Sequence, residues 1–282
     1  MRIEGREESA NVEDRRGMRP RGVAIGGFGM LILMVIVWAL GGNPLQVLQQ
    51  MPQQQVQVGG PDAGVPPDQE ELAHFVKVVL RDTEDVWDEV FRRNGKQYRK
   101  PTLVLFSGTV ESACGFASAA AGPFYCPMDE KVYLDLEFYR ELKQRFGAPG
   151  DFAQAYVIAH EIGHHVQKQL GIAQQVDAAR RRVGRAEGND LSVRLELQAD
   201  FLAGVWANHA QQRFQFLDPG DIEEALRCAQ AIGDDTLQRQ AQGVVVPESF
   251  THGSAAQRAR WFKRGWTTGD MTQGDTFNTN EL

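Results

Sequence analysis

The chain has 282 residues, 42% hydrophobic and 24% charged, with 30 Lys and Arg against 37 Asp and Glu for a formal charge of −7. This composition excludes wholesale disorder and collagen-like structure, and a contiguous stretch above about 150 residues can bury roughly 70% of its unfolded surface without a metal or disulfide staple. The negative balance repels a phosphate backbone, so the chain is not read as a nucleic-acid binder.

Residues 1–21 read as a cytoplasmic N-terminal tail. From Gly22 to Gly42 no residue is charged, and a helix over those positions is about 31 Å long, which matches the hydrocarbon core of a bilayer. One N-terminal transmembrane helix is therefore expected over 22–42; its rival is a secretory signal ending at Ala39-Leu40-Gly41. Arg15, Arg16, Arg19 and Arg21 crowd the flank before this stretch, whereas no Lys or Arg follows it until Lys77. The positive-inside rule then expects a single-pass protein with a cytoplasmic N-terminus, lipid contact through 22–42, and a domain facing the periplasm or exterior. Residues 43–68, rich in Gln, Pro and Gly, read as a flexible linker.

The folded domain is expected over 69–266, with 267–282 as a C-terminal tail. Leu72, Phe75, Val76, Val79, Val86, Val90 and Phe91 recur at helical spacing, predicting an amphipathic helix over 70–93 that ends at Asn94-Gly95. Thr102–Phe106 and Lys131–Leu136 have the composition of strands. The second is either an edge strand offering its backbone to an extended peptide or a central core strand. Beyond it helices dominate, at about 137–146, 151–170, 173–186, 191–211, 220–232 and 254–264. The class is α+β, mostly helical, with a small β-sheet.

The chain has three cysteines, too few for a second zinc site of the Cys type. Outside the cytoplasm Cys114 and Cys126 are expected to pair, closing a loop of about 13 residues for roughly 3 kcal/mol, and Cys228 reads as a buried thiol. Arg180–Arg182 with Arg185 read as a solvated basic face, or else as a dock for acidic headgroups or an acidic partner.

The chemical centre lies in the helix over 151–170, which Asp151 opens with Gln154 in capping-box position. Inside it stands His160-Glu161-Ile162-Gly163-His164. Imidazoles four residues apart lie about 40° apart around a helix and one turn apart along it, so both reach one ion. Glu161, to the side of that pair, can touch a water on the ion without coordinating it, as a general base must. Ile158, Ile162, Val166 and Leu170 form the opposite, packing stripe. Hydrolytic zinc takes three protein ligands and keeps one position open. Downstream, Glu196-Leu-Gln-Ala-Asp200 offers Glu196 as third ligand, with Asp200 as hydrogen-bond partner of a ligand imidazole. Ala199, Ala203 and Ala207 form a strip of small side chains that lets this helix come close. His209 is a reserve ligand, His165 points about 100° away from His164, and His74 has no partner in sequence. His252, before a helix opened by a Ser254/Gln257 capping box, is a candidate donor to the oxyanion formed when water attacks a peptide carbonyl.

The combination of Cys114-Gly115, Gly122-Pro-Phe-Tyr-Cys-Pro127, Val132-Tyr-Leu-Asp135, His160–His165, Glu196–Asp200 and Phe250-Thr-His-Gly-Ser254 resembles the bacterial neutral zinc metallopeptidase family, a set of membrane-anchored predicted proteases. The resemblance covers about residues 1–266. It implies a zincin-like metallopeptidase domain of gluzincin type, with zinc on His160, His164 and Glu196 and with Glu161 catalytic. Some gluzincins carry a late His-Pro before a helix with an Arg; here the counterpart is His252-Gly253 with Arg258. The sequence as a whole predicts a membrane-anchored zinc endopeptidase acting on a peptide or protein substrate, with Glu161 and His252 catalytic. The other readings are a non-catalytic zinc-containing interaction module tethered to the membrane, and a zinc amidase acting on cell-wall peptide.

Overall fold

The run Leu103–Phe106 has no polar side to offer water, and it lies wholly buried inside a sheet. The computed structural model describes residues 1–17, 67–119, 122–144, 147 and 150–282. Strands β1 (Val12–Asp14), β2 (Thr102–Phe106), β5 (Phe124–Cys126) and β6 (Lys131–Asp135) form one sheet in the order β1-β2-β6-β5. The first three in that order run parallel, and β5 is antiparallel at the end. Between β2 and β5 the chain makes a separate antiparallel hairpin of β3 (Thr109–Ser112) and β4 (Gly115–Ser118). Its turn residue Cys114 is disulfide-bonded to Cys126 at the end of β5. The helices are α1 (Pro67–Arg93), α2 (Glu137–Gln144), α3 (Asp151–Gln169), α4 (Ile172–Arg180), α5 (Arg185–Phe214), α6 (Asp221–Ala231), α7 (Asp234–Gln242) and α8 (Ala255–Thr268). One buried core joins α1, α3, α5, α6 and α8 to the inner strands through Trp87, Leu105, Phe152, Trp206, Ala225 and Trp261.

The architecture is α+β and mostly helical, and several local expectations change. The strand beginning at Lys131 is interior, so the end of the sheet that faces the site is β5, which is too short to show a hydrophobic period. Asp151 does not cap α3: Gly150 is the N-cap residue, without a side-chain cap bond, and the Asp151 carboxylate instead holds the Met1 ammonium at 2.7 Å. The capping box of Ser254 and Gln257 is present.

The expected transmembrane helix and single-pass placement are overturned. No helix among the described residues is long and apolar enough to cross a membrane, and the span expected at 22–42 lies outside the described residues. The physical reason against the expected orientation is the fold of residues 1–17. They add β1 beside β2, and Ser9 and Asn11 donate to buried Glu84 on α1 at 2.6 and 2.8 Å. A segment built into the domain's own sheet cannot lie across a bilayer from that domain. Of the arginines that suggested a positive flank, the two among the described residues are ion-paired within the fold: Arg16 is buried against Asp14 and Glu70, and Arg15 pairs with Glu13.

Arg6 from this segment meets Asp82 of α1, which is only 2% exposed. Burial raises the Asp82 carboxyl to about 7, against the pull of Arg6. An acid whose pKa is higher folded than unfolded contributes stability that is complete below its unfolded value and lost as pH rises through the folded one. Urea unfolding should therefore show a loss on the order of a few kcal/mol as pH rises from about 4 past about 7, and Asp82→Asn should flatten that slope. An Asn variant with the wild-type slope would place its origin elsewhere.

Candidate metal centre

Helix α3 carries His160–His164 in its middle, anchored by buried Ile158, Ile162 and Val166 on the packing side. Helix α5 passes it at Gly163, where a Cβ would stand 2.9 Å from the Ala199 carbonyl oxygen and 3.1 Å from its Cα. Any side chain there would push the helices apart. Ala199, Ala203 and Ala207 are fully buried, and the close passage carries Glu196 to both imidazoles.

One Glu196 carboxylate oxygen lies 3.1 Å from His160 Nε2 and the other 3.5 Å from His164 Nε2. A donor atom from each of the three residues falls within 4.8 Å of the others, spacing that can hold one ion. The opposite ring nitrogens are occupied. His160 Nδ1 is 2.8 Å from Asp200 Oδ1, and His164 Nδ1 is 2.9 Å from Gln167 Oε1. Both partners accept, so each Nδ1 carries hydrogen and each Nε2 is the ring nitrogen turned to the shared point, where it donates to Glu196 while the ring is charged and offers a lone pair once that proton leaves. Two imidazole nitrogens and a carboxylate, with an open groove beyond, are the donor set of a hydrolytic zinc site. Asp151, Asp221 and Glu224 have similar mutual spacing, but they surround the Met1 ammonium, which Asp151 and Asp221 approach at 2.7 and 3.3 Å.

Electrostatics follow from burial set against partners. Burial opposes charge on His160, yet the Asp200 carboxylate and hydrogen bonds to Asp200 and Glu196 carry its pKa up to about 10. Burial opposes ionisation of Glu196 too, and the two imidazoles overcome it, holding its carboxyl well below the ordinary range. Asp200 has no exposed surface. Despite that burial, Arg258 and His160 hold it down at about 2. Arg258 Nε meets Asp200 Oδ2 at 2.8 Å, its second nitrogen meets Oδ1 at 3.0 Å, and the Tyr156 hydroxyl donates to Oδ1 at 2.5 Å. Glu161 moves the other way: burial, and then the Glu196 charge, raise it against the pull of the imidazoles and the Tyr125 backbone N–H.

The centre forms the floor of a groove of about 470 Å³. Phe124 and Tyr125 of β5, with Phe138, line it, as do Val157, Ile232 and Leu237. His252 lines the same groove with its side chain 53% exposed. The Asp234 carboxylate accepts the backbone N–H groups of Thr251, His252 and Gly253 at 2.7, 2.7 and 3.1 Å, fixing that loop. A hydrogen bond to Asp234 raises the His252 pKa.

Other histidines go elsewhere. His165 bonds Tyr125 and the Arg99 carbonyl, His209 bonds the Gly269 carbonyl, and His74 pairs with Glu8. Sequence reasoning missed Tyr156, Gln167 and the β5 wall. Tyr156 stands four residues before His160 and Gln167 three after His164, spacings that put each on the ligand side of α3. Removing one member of a buried ion pair strands the other. Asp200→Ala should lower the unfolding free energy by about 3–5 kcal/mol, with much of the loss recovered by adding Arg258→Met. An Ala variant with an unchanged denaturation midpoint would remove Asp200 from its structural role.

Residues 1–277 match the family described as "Putative neutral zinc metallopeptidase". The chain is 48% identical over 285 aligned positions to "Uncharacterized protein YpfJ" of Escherichia coli K12, covering 98% of this chain and 99% of the relative. It is 43% identical over 218 positions to "Uncharacterized protein Mb2605" of Mycobacterium bovis and to "Uncharacterized protein Rv2575" of Mycobacterium tuberculosis H37Rv, covering 74% of this chain and 73% of each relative. No solved structure matches. A match running from the N-terminal strand through the C-terminal segment makes this chain a member of the neutral zinc metallopeptidase family, whose cofactor is zinc.

Proposed function

We propose that the protein is a zinc-dependent endopeptidase with His160, His164 and Glu196 as metal ligands, Glu161 as general base and His252 as oxyanion donor. The observation that carries the reading is the convergence of two imidazole Nε2 atoms and a carboxylate on one point in an open groove, with a buried glutamate beside them. Zinc bound there supplies Lewis acidity, polarising a carbonyl and bringing the pKa of water toward about 7.

The chain's own residues do the rest. An extended peptide lies along β5, whose outer edge has no strand partner among the described residues and whose Phe124 and Tyr125 line the groove. The Glu161 carboxylate takes the proton from the attacking water and delivers it to the leaving amine; its raised pKa suits both halves of that transfer. His252, charged below its raised pKa by virtue of Asp234, donates to the developing oxyanion from the far side of the groove.

Glu161→Gln should abolish hydrolysis of a mixed peptide library, read by mass spectrometry, while about one zinc per chain is retained. Undiminished hydrolysis would remove the general-base assignment. Glu196→Ala should lose the metal on dialysis, and full retention would give the third position to another side chain. His252→Ala should lower kcat about 10²-fold with zinc content unchanged, as loss of one oxyanion donor does. A wild-type kcat would leave His252 as a wall residue only.

A further inference from the structure

The two imidazoles are backed by different chemistry. Behind His160 stands an ionised carboxylate; behind His164 stands a chain of neutral amides that leaves α3 and ends in the C-terminal segment. Gln167, with no exposed surface, places Oε1 2.9 Å from His164 Nδ1. Its amide nitrogen donates to the Leu195 carbonyl at 2.7 Å and to Gln198 Oε1 at 3.1 Å. Gln198, 8% exposed, donates in turn to the Gly274 carbonyl at 2.9 Å. Gly274 lies flat against Phe201, where a Cβ would fall 2.4 Å from the ring. Thr276, fully buried, ties the same segment to α5 by donating to the Arg194 carbonyl at 2.7 Å.

The direction of this chain is forced. Backbone carbonyls only accept, so the amide nitrogens of Gln167 and Gln198 must face Leu195 and Gly274, and each amide oxygen must face the other way. Gln167 Oε1 is thereby committed to accept from His164, which fixes hydrogen on Nδ1 and makes Nε2, turned to Glu196, the nitrogen that can bind an ion. We propose that Gln167, Gln198 and Gly274 are positioning residues of the zinc centre, and that the segment around Gly274 is a working part of that centre because it sets the tautomer and ring orientation of His164. The inference rests on the reading of His164 as a zinc ligand.

Zinc affinity of the full chain, measured by competition with a chromophoric chelator, tests it. Gln167→Met keeps the volume and removes the amide, and it should weaken zinc binding about 10–100-fold. Gln198→Met and Gly274→Ala should weaken binding in the same direction by smaller factors, with chelator-treated wild type and variants unfolding at similar denaturant midpoints. Gln167→Met binding zinc within about threefold of wild type, while His164→Ala loses it, would overturn the positioning role and leave the metal site standing. Retention of zinc by His164→Ala would instead overturn the ligand assignment beneath it. If Gln167→Met does not fold, Gln198→Met carries the test, and wild-type affinity in that variant refutes the relay.

Discussion

Asp200 is a carboxylate with no exposed surface, held by side chains from two other helices, and the arrangement of the candidate metal centre is built around its charge. Moving an ion out of water costs several kcal/mol, so a buried carboxylate persists only when its partners are fixed and properly oriented. Arg258 from α8 supplies the counter-charge, Tyr156 and His160 from α3 supply hydrogen bonds, and the carboxyl stays ionised down to about 2. That charge keeps hydrogen on His160 Nδ1, so Nε2, the nitrogen turned toward Glu196, is the one available to an ion when the ring gives up its second proton. Three helices are locked by the same carboxylate that orients His160, which couples fold stability to the geometry of the candidate site.

The facing helices interlock as two ladders of equal pitch. His160 and His164 are one turn apart on α3, and Glu196 and Asp200 are one turn apart on α5. Glu196 reaches both imidazoles, so the ladders are offset and Asp200 falls behind His160 alone. The matching position behind His164 then has no carboxylate from α5. Gln167 fills it from α3 itself, and its neutrality has a consequence: a second buried anion there would have needed its own cation, as Asp200 needs Arg258. The close passage of Gly163 against Ala199 holds this offset, because any slip of α5 would move Glu196 off the shared point.

What the sequence disclosed was what lies close along the chain. The His-Glu-x-x-His pentad, the Glu196/Asp200 pair and the Ser254/Gln257 cap each occupy a few consecutive turns, where helical spacing converts directly into shared faces. The long helices, too, announce themselves by period, although α5 runs from 185 to 214 where apolar spacing alone gave 191–211. The strands β1 and β5 have three residues each, too few to show an alternation, and β1 finds its partner β2 some ninety positions away. Arg258 meets Asp200 across 58 positions, and no local pattern marks that meeting. The N-terminal arginines misled for the same reason. Net charge along a flank cannot distinguish Arg16, buried between Asp14 and Glu70, from a cation left free in water.

That misplaced N-terminal segment also bears on how a substrate is received. Without β1, the apolar β2 would be a sheet edge with unpaired backbone groups, an invitation to pairing with any extended chain. β1 covers it and is itself a poor template: three residues long, with Glu13 bonded to Lys131 and Arg15, and Asp14 to Arg16. The opposite end of the sheet is treated differently. β5 is Phe-Tyr-Cys, uncharged, braced by the Cys114 bridge and by the Tyr125 bond to His165, and it borders the groove. One edge is blunted by charge and the other is left uncharged beside the groove that holds His160, His164 and Glu196, so the proposed pairing with an extended chain has one edge to use.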